Sequence, residues 1–404
     1  MYRLAGKRII LGVTGGISAY KAAFLVRLLK KNGADVRIVM TNNATKFVTP
    51  LTFQALSSNT VYTELLDFDS QMAMSHIELA RWADLILVAP ASANFLAKYA
   101  FGFAEDLLST ICLAADSPVA VAPSMNKQMW LNVATQDNVK KISERGVHIL
   151  GPAIGEQACG EDGLGRMFEP EEIVKHTANI FQTNILTGSR LLVTAGPTRE
   201  AIDPIRFLSN RSSGRMGYAV ATAAIEAGAD VTLISGPVDL QATGIDKIIY
   251  VTSAEEMQES VMKKISSADI FISAAAVADF RVQKKSEQKI KKSRDVKELI
   301  IEKTPDILSH VSELNNAPFT VGFAAETEDL EFNAQKKMHL KNLDMIAANQ
   351  VGDGVGIDSE ENALTVFWKT GSKQLPLTSK TKLARKLIKL IASQYNEKNS
   401  NKTH

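Results

Sequence analysis

The sequence predicts an α/β protein built of two doubly wound, Rossmann-like domains. Three observations carry that prediction. Short apolar runs rich in Val, Ile and Leu alternate with longer segments of helical period, the pattern of βα units around a buried parallel sheet. The alternation runs twice, and Asn32-Gly-Ala-Asp-Val36 ahead of one strand recurs as Ala227-Gly-Ala-Asp-Val231 ahead of another. Helical period stops around 182–189, where Thr, Asn, Gly and Ser gather, which divides the 404 residues into domains of 1–189 and 190–404.

The apolar run 9–13 is too short for a secretory or membrane segment and reads as the core of a first strand, 8–13. Further strands are expected at 35–40, 84–89, 119–122 and 147–150, with helices at 19–31 and 126–145 between them. In the second half, strands are expected at 190–194, 230–234, 248–251, 269–273, 320–323 and 344–347, and helices at 216–227, 254–266 and 331–341. Both Gly-Ala-Asp segments read as a helix C-cap glycine feeding a strand. Thr370-Gly371 between 363–369 and 373–377 predicts a hairpin, followed by a last helix at 381–393.

Hydrophobic residues make up 45% and charged residues 22%, too apolar for a disordered chain. Lys plus Arg total 46 against 44 for Asp plus Glu, so no overall basic field would hold nucleic acid. The two cysteines, Cys112 and Cys159, have no CxxC spacing; Cys112 sits in an apolar helical stretch and reads as core. No stretch approaches the roughly 18 apolar residues of a membrane span, so a cytoplasmic protein without membrane partners is expected.

After the first strand comes Gly12-Val-Thr-Gly-Gly16-Ile-Ser-Ala-Tyr-Lys21, a glycine turn opening a helix. Such a turn brings free N–H groups against an anion, usually a phosphate. The spacing is not GxGxxG, and the second strand ends at Thr41-Asn42, where a dinucleotide site places an acid for the ribose. FMN, with one phosphate, fits better than NAD. Gly15, Gly16, Ser18 and Thr41 are candidate contacts, joined by Ser92 and Asn94 of Ala89-Pro-Ala-Ser-Ala-Asn94 at the carboxyl edge of the sheet. Ser92 also reads as a plain helix cap. Pro123-Ser-Met-Asn-Lys-Gln-Met-Trp130 ends a later strand, and Ala158-Cys-Gly-Glu-Asp-Gly-Leu-Gly-Arg-Met167 reads as a mobile, glycine-rich flap carrying a thiol.

Together with His76 in Ser75-His-Ile-Glu-Leu79, these motifs resemble the flavin-containing cysteine decarboxylases across the whole first half. The resemblance implies a flavodoxin-like domain in which FMN oxidises a C-terminal cysteine moiety to a thioaldehyde, CO2 leaves, and the enethiolate is reduced and protonated. It implies that Asn126 binds the departing carboxylate, Cys159 donates the last proton and His76 is the base. The capping-box spacing of Ser75 and Glu78 puts His76 in a first helical turn, where the helix dipole favours a neutral imidazole. Taken alone, His76 reads as a structural or surface histidine.

The second half opens with Leu192-Val-Thr-Ala-Gly-Pro-Thr198 and continues through Arg206, Asn210, Arg211 and Arg215, an anion cradle ahead of a helix. Ala274-Ala-Ala-Val-Ala-Asp279-Phe280 ends a strand with residues small enough for a planar ring. Lys284-Lys-Ser-Glu-Gln-Lys289-Ile-Lys-Lys292 reads by itself as a solvated flap, and Lys337 with Lys341 as a like-charge pair on one helical face.

These segments resemble the phosphopantothenate–cysteine ligase domain over 190–349, and the order of the two halves is that of the bifunctional family of bacterial coenzyme A synthesis. The resemblance implies that CTP activates 4′-phosphopantothenate as an acyl-cytidylate, from which the cysteine amine displaces CMP. Asn210 would hold the cytidylate, and Ala275, Asp279, Phe323 and the turn Pro305, Asp306, Ile307 and Leu308 would surround the nucleotide. Lys289, Lys337 and Lys341 would meet the triphosphate, with Mg2+ or Mn2+ neutralising part of its charge. The family also implies a homo-oligomer through both domains. A flavin-binding regulatory protein and a two-domain dehydrogenase are the rivals. The presence of His76, Asn126 and Cys159 counts against the first, and the missing ribose-binding acid against the second.

Overall fold

The computed structural model describes residues 4–65, 76–157, 160–291, 298–352 and 359–400. The chain divides into two units, Met1–Phe181 and Gln182–His404.

The first unit runs β1 (Arg8–Val13), α1 (Ala19–Lys31), β2 (Asp35–Met40), α2 (Asn42–Thr45), α3 (Pro50–Ser57), β3 (Val61–Tyr62), α4 (His76–Trp82), β4 (Leu85–Ala91) and α5 (Ala93–Phe101). It continues with α6 (Leu107–Ala114), β5 (Val119–Pro123), α7 (Lys127–Leu131), α8 (Val133–Glu144), β6 (His148–Ile149), β7 (Ala153–Glu156), β8 (Asp162–Arg166) and α9 (Pro170–Ile180). Six strands pair in parallel in the order β3-β2-β1-β4-β5-β6. The winding reverses between β1 and β4, which opens a crevice at their carboxyl ends; without the two-residue edge strand β3 this is the flavodoxin order.

The period of two along each strand divides the core. Ile9, Leu11, Leu85 and Leu87 face α1 and α9 with Leu25, Leu29 and Ile173. Ile10, Ile86 and Val88 face the other way, onto Leu79, Phe95, Leu108 and Ile142. Each such aliphatic side chain contributes roughly 1.5–3 kcal/mol of hydrophobic stabilisation. Cys112 is buried among the second group, as expected, and burial pushes its thiol pKa well up.

The second unit runs β9 (Arg190–Ala195), β10 (Arg199–Ala201), β11 (Phe207–Ser209), α10 (Arg215–Glu226), β12 (Asp230–Ser235), β13 (Lys247–Tyr250), α11 (Ala254–Ile265), β14 (Ile270–Ser273) and β15 (Phe280–Val282). Then come β16 (Ile301–Lys303), α12 (Ile307–Ser312), β17 (Phe319–Glu326), α13 (Leu330–Leu340), β18 (Met345–Gln350), β19 (Glu361–Trp368), β20 (Gly371–Ser379) and α14 (Lys380–Ser400). The sheet order is β13-β12-β9-β14-β17-β18-β19-β20, parallel up to β18 and antiparallel beyond it. Leu191 and Val193 pack on α10 and α14 through Val220, Ala224, Leu383 and Leu387, while Leu192 packs on α11, α12 and α13 through Met257, Val311 and Met338. Gly217 lets α10 lie directly on β9: a Cβ there would stand 2.5 Å from the Ala195 Cβ.

Two expectations are corrected. The helix at 126–145 is two helices, because Asn132 is extended and its side chain accepts the Ala134 N–H, starting α8 afresh. The glycine-rich flap is in part regular structure: β7 and β8 form an antiparallel hairpin. The glycines that suggested a loose loop allow close packing instead, since a Cβ on Gly165 would run into the Met125 carbonyl oxygen. Among the described residues no helix is long and apolar enough to cross a membrane.

Candidate functional sites at the carboxyl edges of the two sheets

In the first unit, loops from β1, β2, β4 and β5 converge at the crevice. The buried Thr14 hydroxyl donates to the Pro90 carbonyl at 2.8 Å and accepts the Ser92 N–H at 3.0 Å, tying the β1 loop to the end of β4. Ser18 and Ser124 share a 2.8 Å hydrogen bond that ties in β5, and Thr41 N–H donates to the Val13 carbonyl at 3.0 Å. Ser92 caps α5 by accepting the Phe95 N–H at 3.3 Å. Gly16 borders open space, with nothing within 4 Å of where a Cβ would stand, and Asn94 is exposed. Small residues, hydroxyls and free space thus meet at one switch point, and this donor set fits a phosphorylated planar cofactor. Thr14 was not singled out from the sequence; a hydroxyl between a strand end and Gly15 is the signal that could have found it.

Asn126 caps α7, accepting the Gln128 N–H at 2.8 Å, and its Nδ2 donates to Glu161 Oε2 at 2.7 Å. That second bond joins it to the hairpin turn between β7 and β8. His76 is half-buried as the first residue of α4. Cys159 and Ser75 lie outside the described residues.

In the second unit, one cavity of about 890 Å³ runs along the carboxyl edge of the sheet. Asn210, Ala275, Asp279, Phe323, Lys337 and Lys341 line it, as does the whole turn Pro305, Asp306, Ile307 and Leu308. Asn210 Nδ2 donates to the Val277 carbonyl at 2.9 Å, fixing the loop before α10 against the segment that follows β14.

The electrostatics of the cavity are set by its lysines. Lys337 donates to the Phe323 carbonyl at 2.9 Å, and burial, with Lys341 nearby, lowers its pKa. Lys341 reaches Asp306 at 2.7 Å. Although partial burial opposes it, the hydrogen bond from Lys341 and those from Ser309 hold the Asp306 carboxyl below its usual range. The two lysines stand at the end of α13, where the helix dipole favours cations. Each lysine thus has its own hydrogen-bond partner, while Lys341 still disfavours the charge on Lys337.

Lys289 is exposed and is not among the residues lining this cavity. Its segment is nevertheless tied down: the Ile290 N–H donates to Asp203 Oδ2 at 3.2 Å, and Arg206 Nη2 donates to the Ile290 carbonyl at 2.8 Å. Asp203, buried and forked by Arg206, has a strongly lowered pKa. The cavity also takes in Asn349, Asn362 and Lys380. The last two escaped sequence reasoning because they stand at the far end of the chain, outside any motif.

A profile of the flavoprotein family matches residues 2–182, and one described as the DNA/pantothenate metabolism flavoprotein C-terminal domain matches residues 186–395. The coenzyme A biosynthesis bifunctional protein CoaBC of Vibrio cholerae serotype O1 is 55% identical over 399 residues, covering 98% of this chain and 100% of its own. The chain belongs to the CoaBC family. The CoaBC of Escherichia coli K12 is 48% identical over 402 residues, 98% of this chain and 99% of its own. A crystal structure of the C-terminal domain of a CoaBC, 39% identical, covers 53% of this chain and 100% of its own with a TM-score of 0.46. Like its family, the chain is a bifunctional coenzyme A biosynthesis enzyme, with a flavoprotein half that is a phosphopantothenoylcysteine decarboxylase and a second half that is a phosphopantothenate–cysteine ligase.

Proposed function

We propose that the second domain expected from the sequence, 190–404, uses CTP to join 4′-phosphopantothenate to cysteine, and that the first, 1–189, uses FMN to decarboxylate the product. The observation that carries this reading is the convergence of Asn210, Ala275, Asp279, Phe323, Lys337 and Lys341, from separate segments, on one cavity. In the ligase step the phosphopantothenate carboxylate attacks the α-phosphorus of CTP and pyrophosphate leaves. The cysteine amine then attacks the acyl carbon, the bond to the phosphate oxygen breaks and CMP leaves. Lys337 and Lys341 stabilise charge that builds on the phosphates, while the Asn210 amide holds the acyl-cytidylate and Lys289 covers it from its own segment. Among the described residues no group of three or more His, Cys, Asp or Glu is arranged to hold a metal ion. Asp279 and Asp306 are carboxylates on the cavity lining, and Asp279 would be the residue to meet a Mg2+ or Mn2+ ion that came with the triphosphate and neutralised part of its charge.

In the first unit, Gly15, Gly16, Ser18, Thr41, Ser92 and Asn94 would hold FMN, which when bound accepts and returns the two electrons that the decarboxylation needs. Asn126 binds the substrate carboxylate through the amide that now meets Glu161. His76 takes the proton released on oxidation, and Cys159 supplies the proton that completes the product thiol. The chain acts on small molecules, as a homo-oligomer in the cytoplasm.

Metal removal tests the division of labour. With 4′-phosphopantothenate, cysteine and CTP, a chelator is expected to abolish CMP and pyrophosphate formation and added Mg2+ to restore it. Decarboxylation of supplied phosphopantothenoylcysteine is expected to continue throughout. CMP formation that ignores the chelator would contradict the assignment.

A further inference from the structure

Asn126 is oriented by the helix that it starts. Its Oδ1 accepts the Gln128 N–H as the cap of α7, so the amide cannot turn over without losing the cap, and Nδ2 is the end that faces the β7–β8 turn. That nitrogen donates to Glu161 Oε2 at 2.7 Å. The amide assigned to the substrate carboxylate is therefore engaged by a carboxylate of the protein itself.

The hairpin does not depend on this contact. Gln157 pins its turn: Oε1 accepts the Lys127 N–H at 2.9 Å, Nε2 donates to the Leu164 carbonyl at 3.1 Å, and the Gln157 N–H donates to the Glu161 carbonyl at 2.9 Å. The Met125 N–H donates to the Gly165 carbonyl at 2.9 Å, and at the base Arg166 and Lys21 both donate to Glu169 Oε1 at 2.8 Å. The backbone at Glu161 is thus held by bonds that do not use its carboxylate. The side chain is exposed, so a rotation into water is enough to release Asn126. Two carboxylates on one amide nitrogen repel, so the substrate carboxylate and Glu161 compete for it. The decarboxylated product carries no carboxylate and has nothing to put in Glu161's place.

We infer that Glu161 is a built-in competitor on Asn126, which the substrate carboxylate displaces and which returns once CO2 has left. It weakens the binding of the carboxylate-bearing substrate and leaves that of the product untouched. The inference rests on the reading of Asn126 as the residue that binds the substrate carboxylate.

The full-length protein with Glu161→Ala and Glu161→Gln tests this by the kinetics of decarboxylation of supplied phosphopantothenoylcysteine and by inhibition with added 4′-phosphopantetheine. Glu161→Ala removes the competitor and is expected to lower the substrate KM about three- to tenfold. Glu161→Gln keeps an acceptor of the same length without the charge and is expected to lower it by less. The inhibition constant of the product is expected to stay unchanged in both. An unchanged KM in Glu161→Ala would overturn the competition. So would a raised KM, which would make Glu161 a support that orients Asn126 for substrate, or an equal tightening of substrate and product, which would make the contact a general barrier to entry. Asn126→Asp, which keeps the cap of α7 and loses the donor, tests the underlying reading: an unchanged substrate KM there would instead remove Asn126 as the residue that binds the carboxylate.

Discussion

Asn210 donates its amide to the Val277 carbonyl at 2.9 Å, so exchanging nitrogen for oxygen there alters two interactions at once. In Asn210→Asp the donor becomes a second acceptor facing a carbonyl, and a carboxylate stands beside phosphate, both repulsive. CTP-dependent activation is expected to fall at least tenfold while supplied phosphopantothenoylcysteine is still decarboxylated, as labelled CTP and CO2 release can show. Lys337 gives a pH signature. Folding lowers its pKa from 10.5, so between the lowered value and 10.5 the unfolded chain binds more protons and stability rises with pH. A bound triphosphate reverses this preference by favouring the ammonium. The KM for CTP is therefore expected to climb on the alkaline side, and in Lys337→Gln to lose that climb; identical profiles in the two proteins would contradict the contact. At this scale the sequence was informative where residues cluster in motifs, as in Ala275 and Asp279 or Pro305 to Leu308. It was silent on Thr14, Asn362 and Lys380, whose chemistry depends on burial and on partners far away in the chain.

Among the elements, the alternating apolar runs were legible because a buried parallel strand has no polar face to confuse the pattern. The short hairpins were not, since β10 with β11, β15 with β16 and β7 with β8 each hold three to five residues per strand and lack a buried apolar face. The clip between Asp203, Arg206 and Ile290 belongs to this scale, because together with the Ser286 N–H, which donates to the Ile202 carbonyl at 3.0 Å, it ties the lysine-rich segment to one loop. Asp203 contributes fully above the usual carboxylate range, and the contribution is lost only as pH falls through its depressed pKa. Asp203→Asn is expected to lower the denaturant midpoint of the second unit and to speed tryptic cleavage around Lys289. Unchanged cleavage would show that the clip does not hold the segment. Gly217→Ala tests the contact of α10 with β9: the new Cβ meets Ala195 at its Cβ and, at 3.0 Å, its Cα, so backbone has to shift. A loss of about 1–3 kcal/mol is expected, read as a lower melting temperature.

For the whole molecule, each unit has its own sheet and its own two-faced core. A fragment ending near Phe181 is expected to stay soluble, bind FMN and decarboxylate supplied substrate, as its absorbance and CO2 release will show. The order of events on the chain is tested most directly by CO2 release from carboxyl-labelled cysteine in the presence of 4′-phosphopantothenate, CTP and Mg2+. The account predicts labelled CO2 only when CTP is present, none from Asn210→Asp unless phosphopantothenoylcysteine is supplied, and normal early release from Cys159→Ser without the reduced 4′-phosphopantetheine. Labelled CO2 without CTP, or full product from Cys159→Ser at the normal rate, would contradict it.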